Sequence, residues 1–517
     1  MTSLDVAQER ANPGALDDAL ASSRVAGALY AALTAVMAAP ALLWPIPRGT
    51  DLVNHWARLT LYGMAPDDPL RALYKVGFGL IPNLGIDALY LTLSPLLSAQ
   101  SVARLALALS IVLPAWGAWR LHRALFAKPS PTIWFAPLIG YNVVTYVGLV
   151  NYGFAMGLAL LALAFAAECG ERLRLRDYAL LNLIGAGLFF CHLIALAAFG
   201  LLFVLMRMGS APIAGKPRDW MLDLAWRAVR AAPALAVPLA LAALRTTTPA
   251  TYALNGTKLL TLLAPVLTMT ATDEAAFVVL LGLVAFALAR GLMVAPAARL
   301  ALAGFGLAAF LAPSAHGAAN LIDARLVVFW WYFAFASTSL TRPDGWRPLA
   351  AAAAICLLAL RFGTVLPAWI GFQELAGSTR QALSALPIGS RALVVKPGGC
   401  ADRSLGELGG LTAFALTDRR SYANTIFAQS GLQPIAAADP ALDGGPTIVM
   451  DERWLTEAGR AALDPAQTKA PWAGAFVDWR RRFTHVIDVH GACRSNITDL
   501  GLVRLGGAAG VDVYAIP

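Results

Sequence analysis

Long runs of apolar residues follow one another through the first two thirds of this chain, and they limit what it can fold into. Of the 517 residues, 58% are apolar and 14% are charged. A soluble fold could not bury so much apolar surface, whereas a lipid bilayer accepts it when every backbone polar group is bonded within a helix. The sequence therefore predicts a polytopic α-helical membrane protein. The runs cover residues 25–44, 102–119, 133–149, 152–167, 178–206, 228–244, 275–289, 300–312, 326–340 and 349–366.

Basic residues between the runs indicate the direction of each crossing. Three clusters of Arg and Lys lie at residues 120–128, 172–176 and 216–230. Such clusters favour the cytoplasmic side of a membrane. All three reach that side only if residues 178–206 form two short helices that turn near Cys191 and His192, and if residues 78–97 do not cross completely. This interpretation gives about eleven transmembrane helices, with the N-terminus inside and the C-terminus outside.

The same interpretation divides the chain into three parts. Residues 1–24 form a cytoplasmic segment, and residues 25–369 form a transmembrane domain that starts with a retained signal anchor and has a long first outer loop at residues 46–100. Residues 370–517 change to a soluble composition, which predicts a compact α/β domain outside the membrane. Its predicted elements are a helix at residues 378–385 and strands at residues 392–395, 447–450, 485–489 and 511–516.

Two cysteines lie in this predicted outer domain, Cys400 and Cys493. A disulfide between them suits an oxidising compartment, although two unpaired thiols remain an alternative because spacing alone does not establish pairing. The bias toward Ala, Leu, Arg and Gly suggests a GC-rich bacterial genome. We therefore expect a multi-pass protein of the bacterial inner (plasma) membrane, with a periplasmic or extracellular C-terminal domain.

The net charge of +9 belongs to the loop pattern, so we expect no nucleic-acid partner. The sequence contains no phosphate-binding Walker loop, no dinucleotide fingerprint and no Cys/His metal spacing, and these absences weaken ATP-driven transport, nicotinamide chemistry and a zinc site as functions.

Polar residues that are costly near a membrane fall on the predicted outer side. In the first outer loop, a helix after Thr50 would place Asp51, His55 and Arg58 on one stripe, so that an acid, an imidazole and a guanidinium face the same volume. The further candidates for substrate binding on that side are Asn151, His192, His316, Asp323 and Arg325.

An acidic residue shortly after the first span, many apolar spans and a C-terminal outer domain together resemble the GT-C fold glycosyltransferases. The resemblance implies a sugar donor linked to a polyprenyl phosphate, an extracytoplasmic acceptor that is a glycan, a lipid or a protein, and a place in the bilayer. Asp51 would take the role of the first-loop carboxylate, which is the catalytic base or orients the acceptor. No cofactor is implied with certainty, and a divalent metal remains open.

The chemistry matches the residue types. Sugar transfer needs a carboxylate that accepts the proton of the acceptor hydroxyl, and cations that stabilise the phosphate leaving group. Arg58 and Arg325 are the first candidates for the phosphate, because guanidinium groups bind phosphate oxygens bidentately, and Lys75 and Lys258 are the second. His55, His192 and His316 would bind phosphate or sugar hydroxyls.

Other interpretations of these residues remain. Asp51 and Arg58 could flank a helix end at the interface, His192 could only satisfy a backbone carbonyl, and Arg325 could extend to the interface beside an apolar run. At the level of the protein, the alternatives to a glycosyltransferase are a transporter or flippase for a lipid-linked substrate and a non-catalytic membrane scaffold with a partner-binding outer domain.

Overall fold

The computed structural model describes residues 13–209, 217–244, 250–251, 257–316, 319–402, 404–428, 433–442, 449–463 and 473–517. Its α-helices up to residue 260 are α1 (Pro13–Ala21), α2 (Ser23–Leu43), α3 (Leu52–Tyr62), α4 (Gly85–Leu93), α5 (Ala99–Leu125), α6 (Val143–Val147), α7 (Val150–Glu168), α8 (Leu175–Cys191), α9 (Leu193–Gly209), α10 (Pro217–Ala231), α11 (Ala236–Ala243) and α12 (Thr257–Leu260). The later α-helices are α13 (Asp273–Ala289), α14 (Arg299–Leu311), α15 (Ile322–Ser337), α16 (Arg347–Leu383), α17 (Ser404–Leu411), α18 (Phe414–Arg419), α19 (Glu457–Ala461), α20 (Ala473–Val477) and α21 (Trp479–Arg482).

The strands are short in the first part of the chain and longer near its end. They are β1 (Tyr74–Val76), β2 (Ala250–Thr251), β3 (Leu292–Val294), β4 (Ala315–His316), β5 (Ala319–Asn320), β6 (Thr338–Leu340), β7 (Arg391–Lys396), β8 (Tyr422–Ala423), β9 (Ile435–Ala437), β10 (Met450–Asp451), β11 (His485–Val489), β12 (Val503–Ala508) and β13 (Val511–Ala515).

Five segments of the described chain are helical, long and apolar enough to cross a membrane. They are Arg24–Leu43, Ala99–Leu125, Val150–Glu168, Arg218–Ala243 and Arg347–Leu383. The apolar helices Leu193–Gly209 and Pro296–Leu311 are shorter. The predicted helical membrane class therefore holds, whereas the predicted number of about eleven crossings stays a prediction.

The run at residues 133–149 is not the continuous helix that the sequence analysis expected. The first part of the run lies in a 3₁₀ helix, Pro131–Gly140, and the helix α6 starts after Asn142. The side-chain Oδ1 of Asn142 accepts a hydrogen bond from Val144 N at 2.8 Å. Proline removes backbone donors and a capping Asn starts a new helix, which explains the break. Irregular backbone is tolerated at membrane depth when protein surrounds it, and Trp134 is fully buried.

The run at residues 178–206 does form a pair of helices, α8 and α9, separated by the extended residue His192. Arg207, near the end of α9, donates to the carbonyls of Gly170 and Glu171, which precede α8. The start of α8 and the end of α9 therefore lie together, so the two helices form a hairpin with its tip at His192. Within the predicted first loop, α4 has nine residues, which is too short to cross a bilayer.

The helices α5 and α7 approach each other closely because small residues lie between them. A Cβ atom on Gly157 would come within 2.5 Å of the Leu113 carbonyl carbon, and one on Gly153 within 2.6 Å of Ser110 Cβ. Small residues at such a crossing let helix backbones pack in lipid, where no hydrophobic force drives association.

The predicted first outer loop shares one hydrophobic core with the end of the chain. Val53, Ala57 and Leu61 of α3 pack in the same buried cluster as residues of β7, β11 and β13. In addition, β1 pairs antiparallel with β9, with Tyr74 opposite Ala437. The 37-residue helix α16 runs without interruption through residues 369 and 370, where the sequence analysis put the domain boundary, and leads directly to β7.

After α16 the chain forms a sheet in the order β10-β7-β11-β13-β12, with β8 also paired to β7. The pairs of β7 with β8, β10 and β11 are parallel, and those of β13 with β11 and β12 are antiparallel. The predicted strands at residues 392–395, 485–489 and 511–516 coincide with β7, β11 and β13, whereas β12 was not predicted. Residues 447 and 448 of the predicted strand at 447–450 lie outside the described residues, and its last residue, Met450, begins β10.

Candidate functional site

The segment that carries Asp51 is held against the turn between α6 and α7. The backbone N–H of Asp51 and the hydroxyl of Thr50 both donate to the carbonyl of Val147, at 2.7 and 2.9 Å. Gly148 follows with φ of +84°, and a Cβ there would lie 2.9 Å from Leu52 N. Only glycine suits both the left-handed backbone and the close approach. The start of α3 is therefore positioned by main-chain contacts on this side.

On its other side, the segment contacts α17 from the end of the chain. A Cβ on Gly410 would lie 2.1 Å from the carbonyl oxygen of Thr50. Arg48, three residues before Asp51, donates to Glu407 Oε1 of α17 at 2.7 and 2.9 Å and to the Thr268 carbonyl at 3.0 Å. The position of Asp51 therefore depends on the end of the chain as well as on the helices.

These contacts predict that Gly410→Ala moves the Asp51 segment. The added methyl group would clash with the backbone of Thr50. We therefore expect a loss of about 1–3 kcal/mol in the free energy of unfolding and lower activity in any assay that depends on Asp51. Gly406→Ala is the matched control, because it lies in the same helix with no atom within 4 Å of the added Cβ. Thermal unfolding of both variants in detergent measures the difference. Equal melting temperatures for the two variants would contradict the close contact.

The carboxylate of Asp51 accepts no hydrogen bond and forms no ion pair with any residue that the structure describes. The residue is half-buried. Burial raises the pKa of Asp51 to about 7, and the positive charge of Arg325 opposes that rise. An unpaired carboxyl group with a pKa near neutrality can exchange a proton with a bound hydroxyl group.

Arg325 brings positive charge to Asp51 from the first turn of α15. Its Nη1 atom lies 3.0 Å from Nε2 of His192, at the tip of the hairpin. The ring of Tyr152 lies below the guanidinium at 5.9 Å and packs edge-on against His192 at 5.1 Å, and the Tyr152 hydroxyl donates to the Arg325 carbonyl at 2.8 Å. In the described residues the guanidinium bonds to no carboxylate, so its charge is free to act on Asp51 and on an anion.

Arg58 has a different environment from the one expected. Its side chain is fully buried, and it donates to Asp87 Oδ2 at 2.6 Å and to Gln433 Oε1 at 2.5 Å. The other oxygen of Asp87 accepts from Tyr62 at 2.5 Å. The expected shared polar volume of Asp51, His55 and Arg58 is therefore absent, because Asp87 neutralises Arg58 and no solvent reaches it.

His55 packs edge-on against Phe427 at 5.8 Å, is 4% exposed, and its Nδ1 has no partner in the described residues. Burial first, and the nearby positive Arg58 second, hold the pKa of His55 well below its usual range. The imidazole is therefore neutral at pH 7 and adds no charge for phosphate binding.

Two more candidates are engaged in structural contacts. Asn151 accepts from Ile86 N at 2.7 Å and donates to the carbonyl of Asn83 at 2.8 Å, so it fixes α4 to the start of α7. Asp323 accepts from Lys258 at 2.6 Å and from Ser314 at 2.8 Å. Lys258, a candidate for binding the phosphate, is therefore neutralised by Asp323, and it also donates to the Ala312 carbonyl.

The remaining candidates are Lys75, His316 and the two cysteines. Lys75 is exposed in the middle of β1. His316 belongs to β4, and its side chain lies outside the described part of the structure. Cys400 and Cys493 are joined by a disulfide with their Cα atoms 6.1 Å apart.

The structure thus brings Asp51, His192 and Arg325 together with Tyr152. The sequence analysis gave no role to Arg48 or Asp87, which position α3 through partners far away in the sequence. Among the described residues, no group of three or more His, Cys, Asp or Glu could hold a metal ion.

The fold and the site define a helical membrane protein in which the Asp51 carboxylate has no partner among the described residues and lies within the influence of Arg325, whose guanidinium contacts His192 and Tyr152. Comparison with family models and with curated protein sequences finds no match. Among solved structures, the chain is similar to the crystal structure of ArnT from Cupriavidus metallidurans bound to undecaprenyl phosphate. The two chains are 12% identical with a TM-score of 0.46, over 96% of this chain and 99% of the other.

Proposed function

We propose that this protein is a membrane glycosyltransferase that transfers a sugar from a polyprenyl-phosphate-linked donor to an acceptor outside the cytoplasm. The observation that carries the proposal is the Asp51 carboxylate, which is enclosed, bonded to nothing that the structure describes, and placed near Arg325. Charged groups near a membrane are costly, so a carboxylate without a partner among the described residues, in a segment held by the turn between α6 and α7 and by α17, indicates function rather than stability.

In the proposed reaction, Asp51 accepts the proton of the acceptor hydroxyl while that oxygen bonds to the anomeric carbon of the sugar. The bond between the anomeric carbon and the phosphate oxygen breaks, and the electron pair leaves with the polyprenyl phosphate. Arg325 stabilises the charge on that phosphate, because a guanidinium provides a fork of donors to phosphate oxygens. His192 and Tyr152 hold the guanidinium in place.

The position of the site suits a lipid-linked donor. Arg325 lies at the first turn of α15, and His192 lies at the tip of the hairpin of α8 and α9. A phosphate at this level would leave its polyprenyl chain among the spans. The end of the chain, which contacts the Asp51 segment through Gly410 and Glu407, would adjoin the acceptor. We further propose that this end and the first loop face the periplasm.

The proposal is tested by incubating the purified protein with a panel of labelled sugars linked to polyprenyl phosphates, including undecaprenyl phosphate, and with crude envelope acceptors. Transfer of label together with release of polyprenyl phosphate would support it. Arg325→Ala should lower transfer about 10²- to 10³-fold, as loss of a group that stabilises a developing anion does. Assays with and without a chelator would show whether a divalent cation takes part. A transporter would be favoured if no donor gave transfer and the protein instead moved a lipid-linked substrate across the membrane of reconstituted vesicles.

The pH dependence of transfer is expected to follow the ionisation of Asp51. A general base acts in its deprotonated form, and the pKa of Asp51 is about 7. The rate should therefore rise with pH from about 5.5 and level off above about 8, with its midpoint near neutrality. Initial rates measured in buffers of constant ionic strength give the profile. A rate that stays flat from pH 5.5 to 8.5 would exclude Asp51 as the base.

A further inference from the structure

A cavity lies far from Asp51, where α2 begins and α5 and α7 end. Its volume is about 560 Å³. Because α2 has 21 residues and its other end leads to the Asp51 loop, the two places are roughly 30 Å apart along that helix. This cavity is at the membrane face that the basic clusters predict to be cytoplasmic.

The cavity has an excess of positive charge. Arg24, Arg120 and Arg123 line it together with one acidic residue, Glu168. Glu168 pairs with Arg120 at 2.8 Å, and Arg123 donates to the Ala127 carbonyl. Arg24 has neither a hydrogen bond nor an ion pair with any described residue, and it is exposed. Two positive charges are therefore left without a balancing carboxylate, and a bound anion would offset their repulsion.

The other walls of the cavity are apolar and open toward lipid. Ala28 and Ala31 are exposed on the outer side of α2, and Trp116 is half-buried beside them. The indole of Trp119 packs against Gly27, 3.7 Å from where a Cβ would lie. Tryptophan next to arginine at the end of a membrane helix is typical of the layer of lipid head groups.

We propose that this cavity binds one anionic glycerophospholipid. Its phosphate is held by Arg24 and the pair Arg120 and Arg123, and its acyl chains lie on the outer side of α2. Arginine matches phosphate oxygens with two parallel hydrogen bonds, and basic pockets between membrane helices on this side suit anionic head groups. A free phosphate would use the arginines alone and leave the apolar wall uncovered.

The test uses the delipidated, purified full-length protein and native mass spectrometry. The probes are phosphatidylglycerol, phosphatidylcholine and glycerol 3-phosphate, each titrated separately. We expect phosphatidylglycerol to bind at least about tenfold more tightly than the other two. The variant Arg24→Gln should weaken phosphatidylglycerol binding about tenfold, because a charge-assisted hydrogen bond is lost, while Arg24→Lys should keep part of the affinity.

Arg176→Gln is the matched control, since Arg176 is 76% exposed at the start of α8, on the same predicted face, and does not line the cavity. Its affinity for phosphatidylglycerol should equal that of the wild type. Equal binding of phosphatidylcholine would overturn the proposal, as would equally tight binding of glycerol 3-phosphate, which would identify a soluble phosphate ligand. Unchanged binding in Arg24→Gln would also overturn it. The melting temperature of each variant shows that it is folded, and no readout depends on sugar transfer.

Discussion

Asp51→Asn is expected to lower the rate of sugar transfer about 10²- to 10⁴-fold, the usual contribution of a positioned general base. The amide is almost the same size as the carboxyl group and cannot accept the proton. Since the Asp51 side chain bonds to no described residue, the substitution removes no contact that the fold needs. We therefore expect an unchanged melting temperature with lost activity. Single-turnover rates with a labelled donor separate the chemical step from binding.

Asp67→Asn is the control for this experiment. Asp67 lies in the same loop and is exposed, so the same change of charge there should leave both rate and stability as in the wild type. If Asp51→Asn kept more than about a tenth of the wild-type rate, the role of base would have to pass to another group. A loss of activity in both variants would indicate a general effect of loop charge instead.

Asp87→Leu is expected to give the largest loss of stability, about 3–5 kcal/mol, because it leaves Arg58 buried without its counter-charge. Both side chains of this ion pair are fully buried, and Arg58 Nη2 lies 2.6 Å from Asp87 Oδ2. Tyr62 would also lose the acceptor for its hydroxyl. Unfolding in a titration with denaturing detergent, followed by tryptophan fluorescence, measures the change.

The double variant Arg58→Met with Asp87→Leu tests the cause of that loss. Removal of both charges should recover much of the stability, since two apolar side chains can replace a buried pair at little cost. As the control, Asp418→Ala removes the partner of Arg380 in a pair whose side chains are 24% and 44% exposed, and such exposed pairs contribute about 0–1 kcal/mol. A double variant as unstable as Asp87→Leu alone would show that packing, and not the unpaired charge, decides the effect.

Asp323 and Arg325 illustrate which property of the site could not be predicted from the sequence, namely the partner of each charged side chain. The sequence analysis put both on the outer side and counted both as candidates for substrate binding. In the structure, Lys258, 65 positions earlier, neutralises Asp323, whereas Arg325 contacts the imidazole of His192 and a tyrosine ring. Which charges remain free thus depends on partners far away in the sequence, and the local pattern contains no sign of them.

The same reason applies to Arg58. Its spacing from Asp51 correctly indicated a helix, α3, but not which elements would cover that helix. Asp87 and Gln433 reach Arg58 from α4 and from the end of the chain. The run at residues 133–149 was expected to be one apolar span, whereas a 3₁₀ helix that contains Pro137 and a new helix capped by Asn142 divide it.

Composition and the spacing of apolar and basic residues by themselves determined the helical membrane class, the hairpin with its tip at His192, and the strands β7, β11 and β13. These features follow from local periodicity and from the cost of exposing backbone polar groups to lipid. Tertiary structure alone decided that the first loop and the end of the chain share one core, and that Asp51 has no partner among the described residues while Arg58 and Asp323 are paired. The physical reason is that burial and the neutralisation of charge depend on distances between segments that are remote in the sequence, and only the packed chain sets those distances.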